Sequence, residues 1–366
     1  MNLNIPELNK WQLLVVMFFL FLSINYLIVL FYDRIIKPSK YENTPVSTSE
    51  GYEGYAGIKN ATYPSGQLTG REGYEDLSGK EKKSQADESK YNWLDNITLY
   101  DDFYTGIYDK LVQGEKRTQI EVSYLFRDWQ KVTPTIKPAS WVVMDAGCGT
   151  GIATAGLSKL GVGKIIAVDR SQAMITRAQQ KTIPSTTLTA DQLAAIDWRV
   201  GTFENPNLCK EGELTHACML YFTIYYAPDP AIIFKNMKVW IRPGGALTVH
   251  CVNKFKFDPM LESAAPTAFS LQKYSKHRIM KSQVAFDQFD YEGVFDFDNG
   301  PNSNKAEFRE TVRFKDGSIR RQRHLFNMPE MKKLVQIAQA AGWTYKGYQD
   351  LTSAGFEYAY LLLFTN

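Results

Sequence analysis

The chain has 366 residues, of which 44% are hydrophobic and 13% aromatic, which is enough for one large packed domain with accessory segments. Its formal net charge of +3 is too small to indicate a nucleic-acid-binding protein on electrostatic grounds. The four cysteines form no C-x-x-C pair, so the sequence predicts neither a metal site nor a disulfide framework.

The N-terminal segment is strongly apolar. Residues 1–10 form a short tail, and the run Trp11–Tyr32 that follows contains only a few polar positions. A helix over residues 11–33 would span about 30 Å, the thickness of a bilayer core, and no small-residue cleavage site follows it. We therefore predict one transmembrane helix at 11–33, with a buried helix of a soluble domain as the alternative.

Positive charges are concentrated after this apolar run. Arg34, Lys37 and Lys40 lie on its C-terminal side, whereas Lys10 stands on its N-terminal side beside Glu7. The positive-inside rule then places the C-terminal side in the cytoplasm. We predict a single-pass membrane protein whose remaining residues face the cytoplasm.

Residues 34–90 have a different composition from the rest of the chain. They are rich in Ser, Gly, Glu and Lys, and they repeat the triplet Glu-Gly-Tyr at 50–52, 53–55 and 72–74. Such a segment buries too little apolar surface to offset its chain entropy. We predict a flexible linker that spans roughly 40 Å on average, with the folded domain at 91–366.

Three tyrosines recur every four residues near the start of that domain. Tyr100, Tyr104 and Tyr108 would share one face of a helix. A face of this kind either packs its rings on the core or lines a pocket, and the spacing alone leaves both readings open.

A glycine-rich turn between two apolar runs carries the strongest signal. The segment Val142–Gly151 passes from a β-branched run through Asp145 into a turn with Gly147, Gly149 and Gly151, and the next apolar run ends at Asp169. Glycine lets the backbone bend sharply and lie against a ligand, and a carboxylate at the second strand end can accept hydrogen bonds from ribose hydroxyls. The spacing is not G-x-G-x-x-G, and no G-K-[ST] lysine follows. The unit is therefore predicted to hold a nucleoside.

This unit resembles motif I and the following acidic position of class I S-adenosylmethionine-dependent methyltransferases. The resemblance rests on Asp145–Gly151 and Asp169 and extends over roughly residues 95–366. It implies an α/β fold with a doubly wound seven-stranded sheet, and S-adenosyl-L-methionine as the cofactor. The alternative is a glycine-rich turn in an unrelated α/β protein.

The resemblance also implies which residues bind the cofactor. Ser171 and Met174 fall where the family lines the adenine and ribose. Thr202, followed by Phe203, stands where the family usually has an acidic residue for the adenine amino group, so we expect Glu204 or a backbone carbonyl to make that contact. The implied set is Asp145, Gly147, Gly149, Gly151, Asp169, Ser171, Met174, Thr202, Phe203, Tyr100 and Tyr108.

Residues at the carboxyl ends of the fourth and fifth strands are the catalytic candidates, because open α/β sheets bind their ligands there. Tyr221 and Tyr225 follow the fourth strand, and His250 ends the fifth. A histidine in this position is a plausible general base near neutral pH; the alternative is a hydrogen-bonded structural histidine, which is what we expect of His216. No Asp/Asn-Pro-Pro-Tyr/Phe or Pro-Cys signature follows the fourth strand, which argues against methylation of nucleic-acid bases.

Residues 254–328 interrupt the core as an insert. Phe308–Phe314 and Ser318–Phe326 alternate around an Asp-Gly step, which is typical of a hairpin, and Ala285–Phe297 reads as another strand. We predict an antiparallel insert over the substrate side. Its basic residues form either a patch for an anionic acceptor or a solvated strand face; they are Arg320, Arg321, Arg323, His324, Lys276, His277, Arg278 and Lys281.

The C-terminal segment completes the predicted sheet. Pro329–Gly342 has helical apolar spacing and stops at glycine. Two strand-like runs follow this helix, and the second, Tyr358–Phe364, is strongly apolar. This pair resembles the closing reversed hairpin of the family.

We therefore predict a membrane-anchored S-adenosylmethionine-dependent methyltransferase that acts on a small-molecule or lipid acceptor, and we expect no nucleic-acid partner. A protein-directed methyltransferase at a membrane is the first alternative. A donor-binding scaffold without turnover is the second, and the absence of an acidic residue at Thr202 favours it.

Overall fold

A computed structural model describes residues 91–112, 114–259, 261, 279–298, 302–352 and 355–366. The predicted transmembrane helix at 11–33 and the predicted linker at 34–90 lie outside the described residues. Within the described ranges, no helix combines the length and apolar character needed to cross a membrane.

The described strands and helices alternate through most of the domain. In chain order the strands are β1 (Val142–Ala146), β2 (Lys164–Asp169), β3 (Ile196–Val200), β4 (Leu214–Met219), β5 (Ile241–Val252), β6 (Lys281–Ala285), β7 (Phe289–Phe297), β8 (Lys305–Phe314), β9 (Ile319–Asn327), β10 (Thr344–Asp350) and β11 (Ala359–Thr365). The α-helices are α1 (Asp102–Val112), α2 (Gly114–Val132), α3 (Ile152–Lys159), α4 (Gln172–Arg177), α5 (Ala190–Ala194), α6 (Pro230–Trp240) and α7 (Met331–Ala340).

Seven of these strands form the central sheet, in the order β10-β11-β5-β4-β1-β2-β3. Strands β1 to β5 run parallel, whereas β11 lies antiparallel to β5 and to β10. The order reverses beside β1, whose two neighbours are β2 and β4, and a crevice opens at the carboxyl ends of strands at such a point. The predicted doubly wound seven-stranded sheet with a reversed closing hairpin is confirmed.

The sheet is held in place by a core that is apolar on both faces. Strand β4 is buried along its whole length, as expected of a central parallel strand. His216 on this strand is fully buried between the rings of Trp129 and Trp141, and its Nε2 lies 3.0 Å from the Thr133 hydroxyl. Burial lowers the pKa of His216 to about 3, so this histidine is a neutral core residue.

Strands β6 to β9 form a second, antiparallel sheet of four strands. The hairpin between β8 and β9 turns at Asp316-Gly317, where Gly317 has a φ of +88°, as the Asp-Gly step predicted. The chain at Leu94 pairs alongside β9 at Gln322. The region predicted as an antiparallel insert therefore contains this sheet at 281–327.

Candidate active site

The glycine turn follows β1 and leads into α3. Gly147, Gly149 and Gly151 all have positive φ values, of +74°, +52° and +84°, a backbone region in which a side chain is strained. The N–H groups of Gly147 and Cys148 both donate to the carbonyl of Val168 at 2.8 and 2.9 Å, which ties the turn to β2. A Cβ on Gly147 would lie 2.6 Å from the Thr223 hydroxyl oxygen. The turn is therefore closely packed against the segment that follows β4.

Asp169, the last residue of β2, joins the turn to the next helix. One carboxylate oxygen accepts from the N–H of Gly149 and the other from the N–H of Ser171, each at 2.9 Å. Burial raises the pKa of Asp169, and these two hydrogen bonds oppose that rise. The carboxylate thus fixes the geometry of the turn as well as facing the cavity described below.

Asp145 is a second buried carboxylate at the same turn. Its side chain accepts a 2.6 Å hydrogen bond from the hydroxyl of Thr154. Burial raises the pKa of Asp145 to about 6, because the hydrogen bond from a neutral hydroxyl only partly offsets the lost hydration. A cationic ligand group beside this carboxylate would find an electrostatic partner.

A cavity opens at the carboxyl ends of β1, β2 and β4, where the crevice is expected. We call one set of its wall residues the glycine side: Asp145, Gly147, Gly149 and Asp169. We call a second set the tyrosine side: Tyr100, Tyr108, Tyr221 and Tyr226. Further wall residues include Met174, Thr202, Phe203 and Glu204.

Two of the predicted cofactor-binding residues do not line this cavity. Gly151 packs instead against Ala178, whose Cβ would be 2.9 Å from a Cβ at position 151. The hydroxyl of Ser171 accepts from the N–H of Met174 at the start of α4 and donates to the carbonyl of Tyr100 at 2.8 Å. Gly151 and Ser171 therefore lie behind the cavity wall, and Ser171 holds two wall residues, Met174 and Tyr100, in place.

The glycine side fits the nucleoside donor that the sequence implies. A Cβ on Gly149 would have no heavy atom within 4 Å, so the bare backbone of the turn faces open space. A buried carboxylate stands at the end of the neighbouring strand, as ribose recognition requires. Thr202 and Glu204 both reach the wall, so the choice between them for the adenine contact stays a prediction.

The tyrosine side is aromatic, and a cationic side chain that the sequence did not indicate, Arg117, lies against it. Arg117 on α2 is buried, lines the cavity, and holds its guanidinium carbon 3.9 Å from the centre of the Tyr221 ring. Tyr221 itself has a positive φ of +51°, an uncommon conformation that concentrates at functional sites. The sequence alone does not indicate that a single arginine in an amphipathic helix lines a cavity.

Two of the three catalytic candidates lie away from the cavity wall. The hydroxyl of Tyr225 is buried and accepts from the N–H of Val252 at 2.8 Å. His250 is 2% exposed, and its Nδ1 lies 2.5 Å from the carboxylate of Glu121. Its ring contacts Tyr221 edge-on, with the two centroids 6.3 Å apart. We therefore correct the expectation that His250 and Tyr225 line the acceptor pocket, because each is held by a buried partner; Tyr221 does line it.

The three N-terminal tyrosines cluster, although α1 begins only at Asp102. Ring centroids lie 5.6 Å apart for Tyr100 and Tyr104, and 6.2 Å apart for Tyr100 and Tyr108. Tyr100 and Tyr108 reach the cavity, whereas the buried Tyr104 donates to the carboxylate of Glu310 at 2.9 Å. The face therefore combines both readings that the spacing allowed.

The basic residues of the insert do not form a continuous patch within the described residues, because most contact a carboxylate. The pairs are Arg320 with Asp101 at 2.6 Å, Arg323 with Glu307 at 3.7 Å, Lys281 with Glu292 at 2.8 Å and His324 with Glu310 at 2.6 Å. The guanidinium of Arg321 stacks over Tyr91. Residues 276–278 lie outside the described residues. Over the same described ranges, no group of three His, Cys, Asp or Glu side chains is placed to hold a metal ion.

Comparison with known proteins agrees with this geometry. The profile described as "Methyltransferase domain" matches residues 144–249. A probable protein arginine N-methyltransferase 6.1 of Oryza sativa subsp. indica is 26% identical over 153 residues, which are 42% of this chain and 37% of that protein. A ubiquinone biosynthesis O-methyltransferase of Xanthomonas axonopodis pv. citri (strain 306) is 24% identical over 140 residues, which are 38% of this chain and 51% of that protein. The matched residues thus span only about a third to a half of these curated relatives.

Solved structures show the same fold. An S-adenosylmethionine-dependent methyltransferase from Clostridium acetobutylicum ATCC 824 superposes with a TM-score of 0.53 at 14% identity, covering 72% of this chain and 98% of that chain. The CcbJ methyltransferase from Streptomyces caelestis superposes with a TM-score of 0.50 at 15% identity, covering 74% of this chain and 98% of that chain.

These findings confirm the resemblance to class I methyltransferases. Residues 144–249 match a methyltransferase domain, and the chain shares the fold of a solved S-adenosylmethionine-dependent methyltransferase. Both findings support the predicted methyltransferase domain and its predicted cofactor, S-adenosyl-L-methionine.

Proposed function

We propose that the protein transfers a methyl group from S-adenosylmethionine to a small-molecule or lipid acceptor. The observation that carries the proposal is the joining of the glycine side and the tyrosine side in a single cavity. Methyl transfer from a sulfonium is an in-line displacement by a nucleophile, so its main requirement is that donor and acceptor be aligned in a dry pocket.

The glycine side supplies the donor site. Asp169 and the bare backbone at Gly149 suit the ribose, and the buried Asp145 suits a positively charged group. S-Adenosylmethionine, when bound, supplies an activated methyl group on a sulfonium.

The tyrosine side supplies the acceptor site. This assignment includes Tyr100 and Tyr108, for which the resemblance implied contacts to the cofactor. Its rings offer flat apolar walls with hydroxyls at their edges, and Arg117 places a positive charge in the same wall. Such a site suits a planar or aromatic acceptor with a polar or anionic group. One curated relative is named for ubiquinone biosynthesis, which is consistent with an acceptor of this class.

Fractionation of labelled products tests this proposal. Full-length protein is incubated with methyl-labelled donor and cell extract, and the label is then measured in the small-molecule, lipid and protein fractions. We expect it in the small-molecule or lipid fraction. Label confined to protein would favour the protein-directed alternative. The relative named as a protein arginine N-methyltransferase suggests arginine as the acceptor in that case. Donor binding without any transfer would favour the scaffold.

The proposal includes anchoring of the domain at a membrane, with residues 34–366 facing the cytoplasm. Its support is the apolar run Trp11–Tyr32 and the basic residues after it. Deleting residues 1–37 should release the protein from carbonate-washed membranes while donor binding is retained. Deletion of residues 50–85 is the matched control and should leave the protein membrane-bound. Release of the wild-type protein by carbonate would contradict the anchor.

A further inference from the structure

The insert sheet contributes a buried carboxylate–histidine pair that ends at the cavity wall. His324 on β9 places Nε2 2.6 Å from the carboxylate of Glu310 on β8. Its Nδ1 lies 2.5 Å from the hydroxyl of Tyr226, and that hydroxyl lies 2.6 Å from the hydroxyl of Tyr100. These four side chains form a continuous hydrogen-bonded chain from the insert to the cavity.

The partners of the imidazole fix its tautomer. Nε2 faces a carboxylate, which can only accept, so Nε2 carries the proton. Nδ1 is then an acceptor for the O–H of Tyr226, whose oxygen accepts in turn from the O–H of Tyr100. Each proton in the chain therefore points from the cavity towards His324.

The surroundings of Glu310 favour its charged carboxylate form, although the residue is 0% exposed. It accepts hydrogen bonds from the hydroxyls of Tyr104 and Tyr291 and from the amide of Gln322. Burial alone would raise its pKa, but the positive charge available on His324 and the hydrogen bonds from His324, Gln322 and Tyr291 bring the pKa of Glu310 below its usual value. A carboxylate held in this way stabilises an imidazolium beside it.

A network with a purely structural role would need no exposed end. Here the buried part consists of Glu310 and His324, which are 0% and 4% exposed, whereas Tyr100 and Tyr226 both line the cavity. The carbonyl of Tyr100 accepts from the Ser171 hydroxyl, and Ser171 also donates its N–H to Asp169. The open end of the chain is thus tied to the carboxylate of the glycine side.

We propose that Tyr100, Tyr226, His324 and Glu310 form a proton relay for an acceptor hydroxyl, of the phenol class. This inference rests on the proposed function and specifies its substrate class. As the acceptor oxygen bonds to the methyl carbon, the carbon–sulfur bond breaks and its electron pair stays on the sulfur of S-adenosylhomocysteine. The hydroxyl proton passes to the Tyr100 oxygen, the Tyr100 proton to Tyr226, and the Tyr226 proton to Nδ1 of His324. Glu310 then faces an imidazolium, which later returns its proton to water by the same route.

Two acceptors of similar shape distinguish a relay from a structural network. Catechol must lose a proton during methylation, whereas thiophenol is already ionised in mildly alkaline buffer and needs no base. Initial rates of S-adenosylhomocysteine formation are measured for the full-length protein in detergent with each acceptor. The variants are Tyr226→Phe and His324→Gln. The matched control is Tyr225→Phe, which loses a buried hydroxyl from the adjacent residue that bonds only to the backbone of β5 in the described contacts.

We expect both relay variants to lower kcat for catechol by about a hundredfold, within the range typical of a positioned base. Their rates with thiophenol and their affinity for S-adenosylhomocysteine should stay close to those of the wild type. Tyr225→Phe should change the two rates equally and slightly. A relay variant that retains catechol turnover, or that loses turnover equally with both acceptors, overturns the relay and leaves the proposed function intact. A wild-type protein that methylates neither acceptor overturns the small aromatic acceptor itself, and the relay with it.

Nitrogen NMR of the histidine rings tests the geometry separately, because the chain has only four histidines. We expect one ring with a protonated Nε2 and a hydrogen-bonded Nδ1, whose Nδ1 resonance moves in Tyr226→Phe and stays in Tyr225→Phe. An Nδ1 resonance that is unaffected by Tyr226→Phe would overturn the relay.

Discussion

The two sides of the cavity are built in different ways. The glycine side is made mostly of backbone from one β–turn–α unit, with Asp145 and Asp169 at two adjacent strand ends. The tyrosine side is made of side chains from distant segments: Tyr100 and His324 are separated by 224 positions in the sequence. A site built from local backbone constrains residue type strongly, whereas a site assembled from distant side chains can vary with each acceptor.

The buried carboxylates repeat this difference. Among the described residues, Asp145 on the glycine side has the hydroxyl and the backbone N–H of Thr154 and the thiol of Cys218 as partners, and burial raises its pKa to about 6. Glu310, beside the tyrosine side, has a histidine and three further donors, and its pKa is lowered in spite of burial. Within the described part of the chain, the first carboxylate has no cationic partner, so a bound ligand can supply one, whereas the second already has its partner.

The largest effect on donor binding is expected from closing the glycine turn. Gly147→Ala places a Cβ 2.6 Å from the Thr223 hydroxyl oxygen at a φ of +74°, so the turn must move. We expect donor affinity to fall by roughly a hundredfold, which corresponds to about 2.7 kcal/mol. Gly161→Ala is the control, since its φ is +80° but nothing lies within 4 Å of the new Cβ; it should lower stability by about 1–2 kcal/mol without changing donor affinity. Equal donor affinities in the two variants would contradict the role of the turn.

The two carboxylates should give pH dependences of opposite sign. The folded-state pKa of Asp145 is about 6, against 3.8 for an ordinary aspartate. Its favourable contribution to the free energy of unfolding is therefore present below pH 3.8 and is lost as the pH rises through 6. Relative to Asp145→Asn, the wild type should lose about 3 kcal/mol of unfolding free energy over this interval.

The lowered pKa of Glu310 gives the opposite pH dependence. Its contribution to the free energy of unfolding is present above pH 4.5, the ordinary pKa of a glutamate, and is lost as the pH falls through the folded-state pKa. The advantage of the wild type over Glu310→Gln should therefore shrink in acid. Urea unfolding at a series of pH values measures both differences, and slopes of the same sign would break the comparison.

A smaller effect is expected from removing one charge on the glycine side. Asp169→Asn keeps the shape of the side chain but weakens two charge-assisted hydrogen bonds from backbone N–H groups and the expected contact to the ribose. We expect donor affinity to fall by about ten- to a hundredfold, as measured by calorimetry. Asp197→Asn on β3 is the control, because Asp197 pairs with Arg199 at 2.8 Å and is not part of the described cavity wall. Unchanged affinity in a folded Asp169→Asn protein would remove Asp169 from the site.

The smallest effect is expected at Thr202, where the cavity wall differs from the acidic residue that the resemblance implies. Thr202 lines the cavity where an acidic residue is usual, and Glu204 lies close to it in the chain. If a backbone carbonyl now holds the adenine amino group, Thr202→Asp should raise donor affinity by about three- to tenfold. A loss of affinity in Glu204→Gln together with no gain in Thr202→Asp would assign the contact to Glu204.

The sequence predicts the glycine side well because its signal is local. Strand, turn and acidic strand end lie in one continuous segment, and the periodicity identifies each part. The resemblance implies cofactor contacts for Gly151 and Ser171, but both residues lie one layer further from the cavity.

The tyrosine side could be predicted only in part, for a physical reason. The insert hairpin follows from its Asp-Gly step, yet no local pattern indicates that His324 and Tyr226 meet. His250 matched the expected strand end, but Glu121, from a helix far away in the chain, holds its ring. Likewise, basic residues grouped in the sequence are paired in the fold with carboxylates from other segments.

Calorimetric titration with S-adenosylhomocysteine tests the central claim most directly, because the claim is that the two sides are separable parts of one site. The full-length wild type, Gly147→Ala and Tyr226→Phe are compared in the same detergent. We predict one binding site per chain in the wild type, a nearly unchanged affinity in Tyr226→Phe, and a loss of roughly a hundredfold in Gly147→Ala. Absence of binding by the wild type, or equal losses in the two variants, would contradict the account.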